Sequence, residues 1–284
     1  MSIDSLQEKI RKTKNPSILT MEAFPQLVPP SYAAEDPIAA MEQYYRDVLA
    51  AVQGVVPAVR FGFASFVLHG AGGLQLLQNL LQHAKKRGFY VLLDLPEMLS
   101  AMAAEHVAAQ LKSGFACDGY VIGTYLGSDV YKPFLEHCKN GMSLFPVLRT
   151  ANRSAAELQD LLSGNRLVHS AVADNVSRFA EQFYGKCGYS QIGILAAACA
   201  PDSIRSLRAK YNRLFLLLDG FDYPNSNAKK CSYAFDNLGH GAAACACTSI
   251  LAAWQTDSEG TAAEAAARAA EHMKRKLIRY ITVL

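Results

Sequence analysis

Short runs of apolar and β-branched residues recur along the chain roughly every 25 to 35 residues, and a stretch with helical spacing of apolar positions follows most of them. Such a rhythm is typical of successive strand-helix units. The runs that fit this description are Ser17 to Met21, Pro57 to Gly62, Phe89 to Asp94, Gly119 to Gly123, Leu144 to Leu148, Gln191 to Ala197, Leu214 to Gly220 and Ala242 to Thr248.

The stretches between the runs are amphipathic, and the strands themselves are apolar on both faces, as in Phe215 to Leu218. Strands buried on both faces by helices indicate a parallel sheet. Eight such units predict an α/β fold, a single (β/α)8 TIM barrel domain over residues 1–284. An extra N-terminal helix, Ile3 to Lys12, precedes the first strand and is expected to close the barrel floor. The other predicted helices are Gly73 to Arg87, Ala101 to Lys112, Ser154 to Leu162 and Glu259 to Arg279.

The composition and the charge argue against nucleic acid and anionic membranes as partners. The chain is 51% apolar and has 28 Lys and Arg against 25 Asp and Glu, so it lacks the basic excess that nucleic acid or an anionic membrane attracts. Its two longest uncharged stretches, Phe61 to Ala84 and Asn237 to Thr256, contain polar residues and predict no membrane span. Because no apolar signal segment follows the charged start, we expect a cytoplasmic protein.

The seven cysteines form no CxxC pair, so no metal is expected, and no other cofactor is expected either.

Active sites of such barrels lie where strands end and loops begin. Charged and polar residues occupy several of these positions, and together they are compatible with a polar ligand site. They are Glu22, Arg60, Asp94, Thr124, Tyr125, Arg149 to Asn152, Cys199, Asp219 and Thr248. Charged groups at strand ends also form structural ion pairs, and His69 and Cys199 are expected to be structural.

Several segments resemble bacterial orotidine 5'-phosphate decarboxylases of the longer, type 2 group. Val147 to Asp160 looks like their fifth-strand segment, Gly188 to Gly193 like the entry to their sixth strand, and Tyr125 to Asp129 like the loop after their fourth. Ser17 to Val28, Val59 to Gly70 and Gly239 to Ile250 fall at matching places. The resemblance covers nearly the whole chain and implies a (β/α)8 barrel that works as a homodimer.

The resemblance also identifies the positions that carry the family's chemistry, a charged Lys and Asp network that stabilises a carbanion and supplies a proton. The family's Asp-x-Lys-x-x-Asp motif reads here with Asp94 in place, Pro96 at the Lys and Leu99 at the second Asp. Arg60 stands for the Lys of the second strand, and its pKa is too high for a good acid. Glu22 replaces the Asp that contacts ribose, a change that still allows hydroxyl groups to be bound.

The phosphate and pyrimidine contacts that the resemblance implies are also replaced. The loop after the seventh strand has Asp219, Asp222 and, at the expected Gln, Pro224. Thr248 stands at the phosphate Arg of the eighth strand, and Ala151 at a Ser that contacts the pyrimidine. Asn152 and Thr248, with Glu22, remain candidate substrate-binding residues.

The sequence therefore predicts a decarboxylase-like barrel that has lost the activity, a pseudoenzyme with a structural or regulatory role. One alternative is a divergent enzyme, either still a decarboxylase or acting on another polar small molecule through Glu22, Arg60 and Asp94. Another is a subunit that pairs with an active paralogue, because the family completes its site across the dimer interface. We expect a homodimer that binds neither nucleic acid nor membrane.

Overall fold

The computed structural model describes residues 1–95 and 101–282, and within these ranges eight parallel strands form one barrel sheet. The spatial order is β5-β4-β3-β2-β1-β8-β7-β6, so every strand except at one seam pairs with its neighbour in the chain. The eight-stranded prediction is thus confirmed, with most strands shorter than expected. The bounds are β1 Ser17–Met21, β2 Ala58–Gly62, β3 Tyr90–Asp94, β4 Gly119–Ile122, β5 Ser143–Pro146, β6 Ile194–Ala197, β7 Leu216–Asp219 and β8 Ala242–Ala246.

The seam between β5 and β6 closes the barrel through isolated bridges. Leu144 accepts a hydrogen bond from the Gly193 amide and donates one to the Gln191 carbonyl, both at 2.8 Å. Further along, the Leu148 amide donates to the Leu195 carbonyl at 2.9 Å. These bonds bring the loops after β5 and β6 to the same end of the barrel as the other strand ends.

Helices surround the sheet, and their apolar faces pack against the outward-facing strand residues in one large core. None of the helices in the described ranges is both long and apolar enough to cross a membrane. Their bounds are α1 Ile3–Thr13, α2 Pro37–Ala51, α3 Phe63–Val67, α4 Gly70–Lys86, α5 Ala101–Gly114, α6 Leu135–Lys139, α7 Val168–Ala180, α8 Pro201–Lys210, α9 Ala228–Ser232, α10 Thr248–Leu251 and α11 Ala262–Ile278.

Helix α1 covers the end of the barrel where the strands begin, as the sequence predicts. Its Ile3, Leu6 and Ile10 are fully buried and belong to the same cluster as the inward-facing strand residues. The Ile3 amide donates to the Gln191 side chain at 2.9 Å, just before β6. The floor is therefore a buried apolar layer, and the other end of the barrel is the mouth.

The predicted helix Ser154 to Leu162 is wrong. This segment contains a short 3-10 helix, Arg153–Glu157, and then a hairpin that pairs Leu162–Ser163 with Arg166–Leu167. The leucines that produced the helical pattern are exposed, so they have no core against which a helix could pack. The Gln159 side chain instead accepts a hydrogen bond from the Thr150 amide at 2.8 Å, and such side-chain bonds compete with helix formation.

Candidate active site at the barrel mouth

Three of the predicted site residues meet at the mouth because β1, β2 and β3 are adjacent. The strand register places Thr20 beside Arg60 and Gly62 beside Asp94. Successive strand residues point to opposite faces, so Arg60 shares the inward face with Ala58 of the interior cluster. Glu22 follows β1 directly, and its carboxylate lies over Gly62.

Asp219 enters the same cluster from β7, across the barrel. The Nη2 atom of Arg60 lies 2.8 Å from Asp219 Oδ1 and 3.3 Å from Asp94 Oδ2. The sequence identified Asp219 as a strand-end residue but missed this pairing, because the contact joins strands that are more than 150 residues apart in the chain. One guanidinium nitrogen therefore holds two carboxylates.

Arg60 is buried, and its ion pairs with Asp94 and Asp219 keep it protonated. Burial alone would lower its pKa, but the carboxylates of Asp219 and Asp94 raise that pKa well above its ordinary value. Its Nε and Nη1 atoms are also buried and have no hydrogen-bond partner in the part of the chain that the structure describes. Arg60 is therefore a permanent cation with unused donors, and it cannot act as a proton source near neutral pH.

Two carboxyl groups at the mouth, those of Asp94 and Glu22, have pKa values above the ordinary range. Burial raises the pKa of Asp94 to about 7, although Arg60 opposes the shift. Burial likewise raises the pKa of Glu22, against a hydrogen bond from Ser65 and the charge of Arg60. Asp94 and Glu22 therefore hold protons more tightly than ordinary carboxyls, as expected where several acids share one cation.

Gly62 makes room for Glu22. A Cβ atom at this position would lie only 2.2 Å from Glu22 Oε2. The φ angle of Gly62 is −81°, which any residue can adopt, so the glycine supplies space rather than an unusual backbone conformation. No motif or spacing in the sequence indicated this contact between Gly62 and Glu22.

The cluster suits hydrogen-bond donors better than anions. It combines three carboxyl groups with one cation, so hydroxyl or amino groups of a polar ligand would find acceptors. In the described residues no three His, Cys, Asp or Glu side chains are grouped as a metal ion requires. The chemistry that the arrangement supports is binding and proton exchange through Asp94 and Glu22.

Thr248 and Asp222 lie at the ends of neighbouring strands, β8 and β7, and line a separate cavity. They line a cavity of about 760 Å³ with Lys229, Lys276 and Arg279, among other residues, and none of Glu22, Arg60 and Asp94 is among the described residues that line it. Asp222 Oδ2 accepts a hydrogen bond from the Cys247 amide at 2.6 Å. The Asp222 carboxylate thus already accepts the hydrogen bond of the Cys247 amide, which an anionic ligand would otherwise need.

The remaining candidates have local partners. Asn152 is exposed and accepts a hydrogen bond from the Thr150 hydroxyl at 2.6 Å. The sulfur of Cys199 lies 3.7 Å from the Ala151 carbonyl, and His69 Nε2 lies 2.7 Å from the Ala23 carbonyl. Pro96 and Leu99, the positions of the replaced Lys and Asp, lie outside the described residues.

Known proteins that resemble the chain agree on one family. No model of a known protein family matches it. The orotidine 5'-phosphate decarboxylase of Clostridium novyi is 25% identical over 264 residues, covering 91% of each chain. That of Rhodopirellula baltica is 27% identical over 234 residues, covering 80% of this chain and 78% of its own.

Solved structures agree with these relatives. The OMP decarboxylase of Leishmania donovani superposes with a TM-score of 0.76 at 20% identity, covering 98% of this chain and 99% of its own. The likeness of fold extends over nearly the whole chain. The chain is a TIM barrel that is similar in sequence and in fold to orotidine 5'-phosphate decarboxylases.

Proposed function

We propose that this barrel does not decarboxylate orotidine 5'-phosphate and serves a structural or regulatory role, as a pseudoenzyme. The observation that carries the proposal is the pairing at the mouth: Arg60, at the position of the family's second-strand Lys, is bound to both Asp94 and Asp219. The resemblance places the proton-donating Lys at Pro96, which has no proton to donate, and a guanidinium with a raised pKa cannot deliver the proton in its place.

The expected loss of rate is large. Removing one preorganised electrostatic group from an active site typically costs about 2.7 to 4 kcal/mol of transition-state stabilisation. Here the second-strand Lys is Arg60, the third-strand Lys is Pro96 and the second Asp is Leu99. Although such losses are not additive, together they would reduce the rate by many orders of magnitude.

Substrate affinity is expected to fall for a separate reason. Asp219 and Asp222 flank the loop after β7, where the resemblance places the phosphate, and Thr248 replaces the phosphate Arg. Asp222 already accepts the Cys247 amide at 2.6 Å. A dianionic phosphate would meet the Asp222 carboxylate and no guanidinium at position 248, although Lys229, Lys276 and Arg279 line the same cavity, so we expect its attraction to be weakened.

A second candidate function is binding or conversion of another polar small molecule through Glu22, Arg60 and Asp94. The unpartnered Nε and Nη1 atoms of Arg60 favour it, because buried donors that lack a partner in the described residues can be satisfied by a ligand. A thermal-shift screen that includes amines and polyols tests this candidate. A hit that Arg60→Lys abolishes would support it, and a screen without hits would count against it.

We also propose that the chain forms a homodimer through the mouth side, or pairs there with an active paralogue. Leu68, Leu126 and Leu162 are large exposed apolar residues, and they lie in the connections that follow β2, β4 and β5. Exposed leucines in connections at the mouth end favour association there. Light scattering at micromolar concentration tests the homodimer, and a monomeric mass would contradict it.

The decisive experiment is an assay of UMP formation with purified protein, with the Clostridium novyi enzyme as positive control. We expect no turnover above background. The variant Pro96→Lys should also be inactive, because Leu99, Arg60 and the phosphate loop remain unchanged. Wild-type turnover at about 1 to 1000 per second, the usual range for metabolic enzymes, would refute the proposal.

A further inference from the structure

A second group of polar side chains lies on the rim of the barrel, outside the mouth cluster. A cavity of about 310 Å³ opens between the loop after β5, the start of α7 and the start of α8. Its size falls at the lower end of small-molecule sites. The chemically active residues that line it are Arg149, Asp160, His169, Ser203 and Ser206.

Three of these side chains lie in a row: Ser203 is hydrogen-bonded to His169, and His169 is in ion-pair contact with Asp160. Ser203 Oγ lies 3.1 Å from His169 Nε2. On the other side of the ring, His169 Nδ1 lies 2.9 Å from the Gln159 carbonyl and 3.2 Å from Asp160 Oδ1. Because Nδ1 faces two acceptors, it carries the ring proton, and Nε2 is left with a lone pair that accepts the Ser203 hydroxyl.

This row is rigidly supported. Arg149 binds Asp160 through two parallel bonds, Nε to Oδ1 at 2.9 Å and Nη2 to Oδ2 at 2.8 Å. His169 is buried, whereas Ser203 is only partly buried and faces the cavity. A serine, a histidine base and a carboxylate that orients the histidine recur on unrelated folds as the machinery of acyl transfer.

The position of Ser203 in α8 adds stabilisation for developing negative charge. Ser203 is the third residue of this ten-residue helix, which begins at Pro201. Amides of a first helical turn have no acceptor within their helix, and the positive end of the helix dipole favours an anion there. The amides of Asp202 and Ser203 are therefore placed to serve an oxyanion beside the Ser203 hydroxyl.

We propose that Ser203, His169 and Asp160 form a hydrolytic site for small carboxylic esters, independent of the barrel mouth. Ser203 Oγ attacks the ester carbonyl while its proton passes to His169 Nε2. The ester C–O bond then breaks, and the alcohol leaves with that proton, so that an acyl-serine remains. Water attacks the acyl group and gives a proton to Nε2, the acid departs, and Ser203 recovers its proton.

Two measurements on the full-length protein test the proposal. The first is labelling with a fluorophosphonate, followed by mass spectrometry of the digested peptides. We expect an adduct on Ser203 in the wild type. This readout requires no variant to fold, and wild-type protein without an adduct on Ser203 would overturn the proposal.

The second measurement is hydrolysis of p-nitrophenyl acetate. Ser203→Ala and His169→Gln should each lower the rate about a hundredfold or more, since a nucleophile or its general base is removed. Ser177→Ala is the matched control, because Ser177 lies on the same helix as His169 but is not among the described residues that line the cavity, and its rate should be unchanged. Equal rates in Ser203→Ala and wild type would contradict the proposal.

Discussion

The two ends of the barrel interior differ in chemistry although the same strands build both. At the floor, Ile3, Leu6 and Ile10 of α1 pack with inward-facing residues such as Phe215 in a fully buried apolar layer. At the mouth, the next inward positions are Arg60, Asp94 and Asp219, with Glu22 beside them. The floor gains stability from burial, whereas the mouth places charges where burial is costly.

The contrast indicates that the mouth is not optimised for stability. Two carboxyl groups with raised pKa values and a buried arginine with unpartnered nitrogens, within the part of the chain described, are features that a purely structural core avoids. Such a cluster is typical of a ligand site rather than of a structural core.

The largest loss of stability is expected from Arg60→Leu. This change leaves Asp94 and Asp219 buried without their cation, which should lower the free energy of unfolding by about 3 to 5 kcal/mol at pH 8. Urea denaturation followed by circular dichroism measures it.

Arg205→Leu is the matched control for this arginine. Arg205 pairs with Asp202 at 3.0 Å on the surface, so its loss should cost less than about 1 kcal/mol. If Arg60→Leu cost no more than Arg205→Leu, the charged cluster would not contribute to the folded state as described.

Leu6→Ala tests the floor with an uncharged change. Leu6 is fully buried between α1 and the strands, so its truncation leaves a cavity and should cost about 2 to 5 kcal/mol. Unlike the change at Arg60, this cost should be the same at pH 5 and pH 8. A strong pH dependence in Leu6→Ala would break the distinction between the two ends.

Asp94→Asn tests whether the Asp94 carboxyl group holds a proton in the folded protein at mildly acidic pH. The pKa of Asp94 is about 7 when folded and near 3.8 ordinarily, so the folded state keeps the proton that the unfolded state loses between these values. The free energy of unfolding of the wild type should therefore fall as the pH rises from 4 to 7. Asp94 should account for on the order of 2 to 4 kcal/mol of this fall, and Asp94→Asn should lack that contribution. Urea midpoints across this range measure it, and the exposed Asp129→Asn serves as control. Parallel curves for wild type and Asp94→Asn would contradict the assignment.

The smallest effect is expected from Gly62→Ala. Its Cβ would displace the Glu22 carboxylate, which is the end of a flexible side chain, so the cost should be about 1 kcal/mol. In a Glu22→Ala background the same change should cost almost nothing. A double-mutant cycle measures the coupling, and additive effects would show that the two residues do not meet.

The fold could be predicted from the sequence because its signal is local. Each strand is a short apolar run, and β1 was predicted to the residue at Ser17–Met21. The helix predicted from Ser154 to Leu162 failed because its leucines are exposed, a fact that depends on the rest of the fold. Periodicity reports spacing, but only the tertiary structure decides whether a core is present.

The site could be predicted only in part, for the same reason. Strand-end positions identified Glu22, Arg60 and Asp94, since parallel strands end on one side. The pairing of Arg60 with Asp219, and the row from Asp160 through His169 to Ser203, join segments that are distant in sequence. No motif spacing encodes such contacts, because loop lengths between barrel strands vary freely.

Calorimetric titration of UMP into the purified protein, with the Clostridium novyi enzyme as reference, measures whether the mouth and the loop after β7 accept a phosphorylated nucleotide. We expect no saturable binding, or a Kd weaker than about 1 mM. A Kd in the micromolar range, about 4 kcal/mol more favourable, would show that the nucleotide site persists and that the proposed loss of function is wrong.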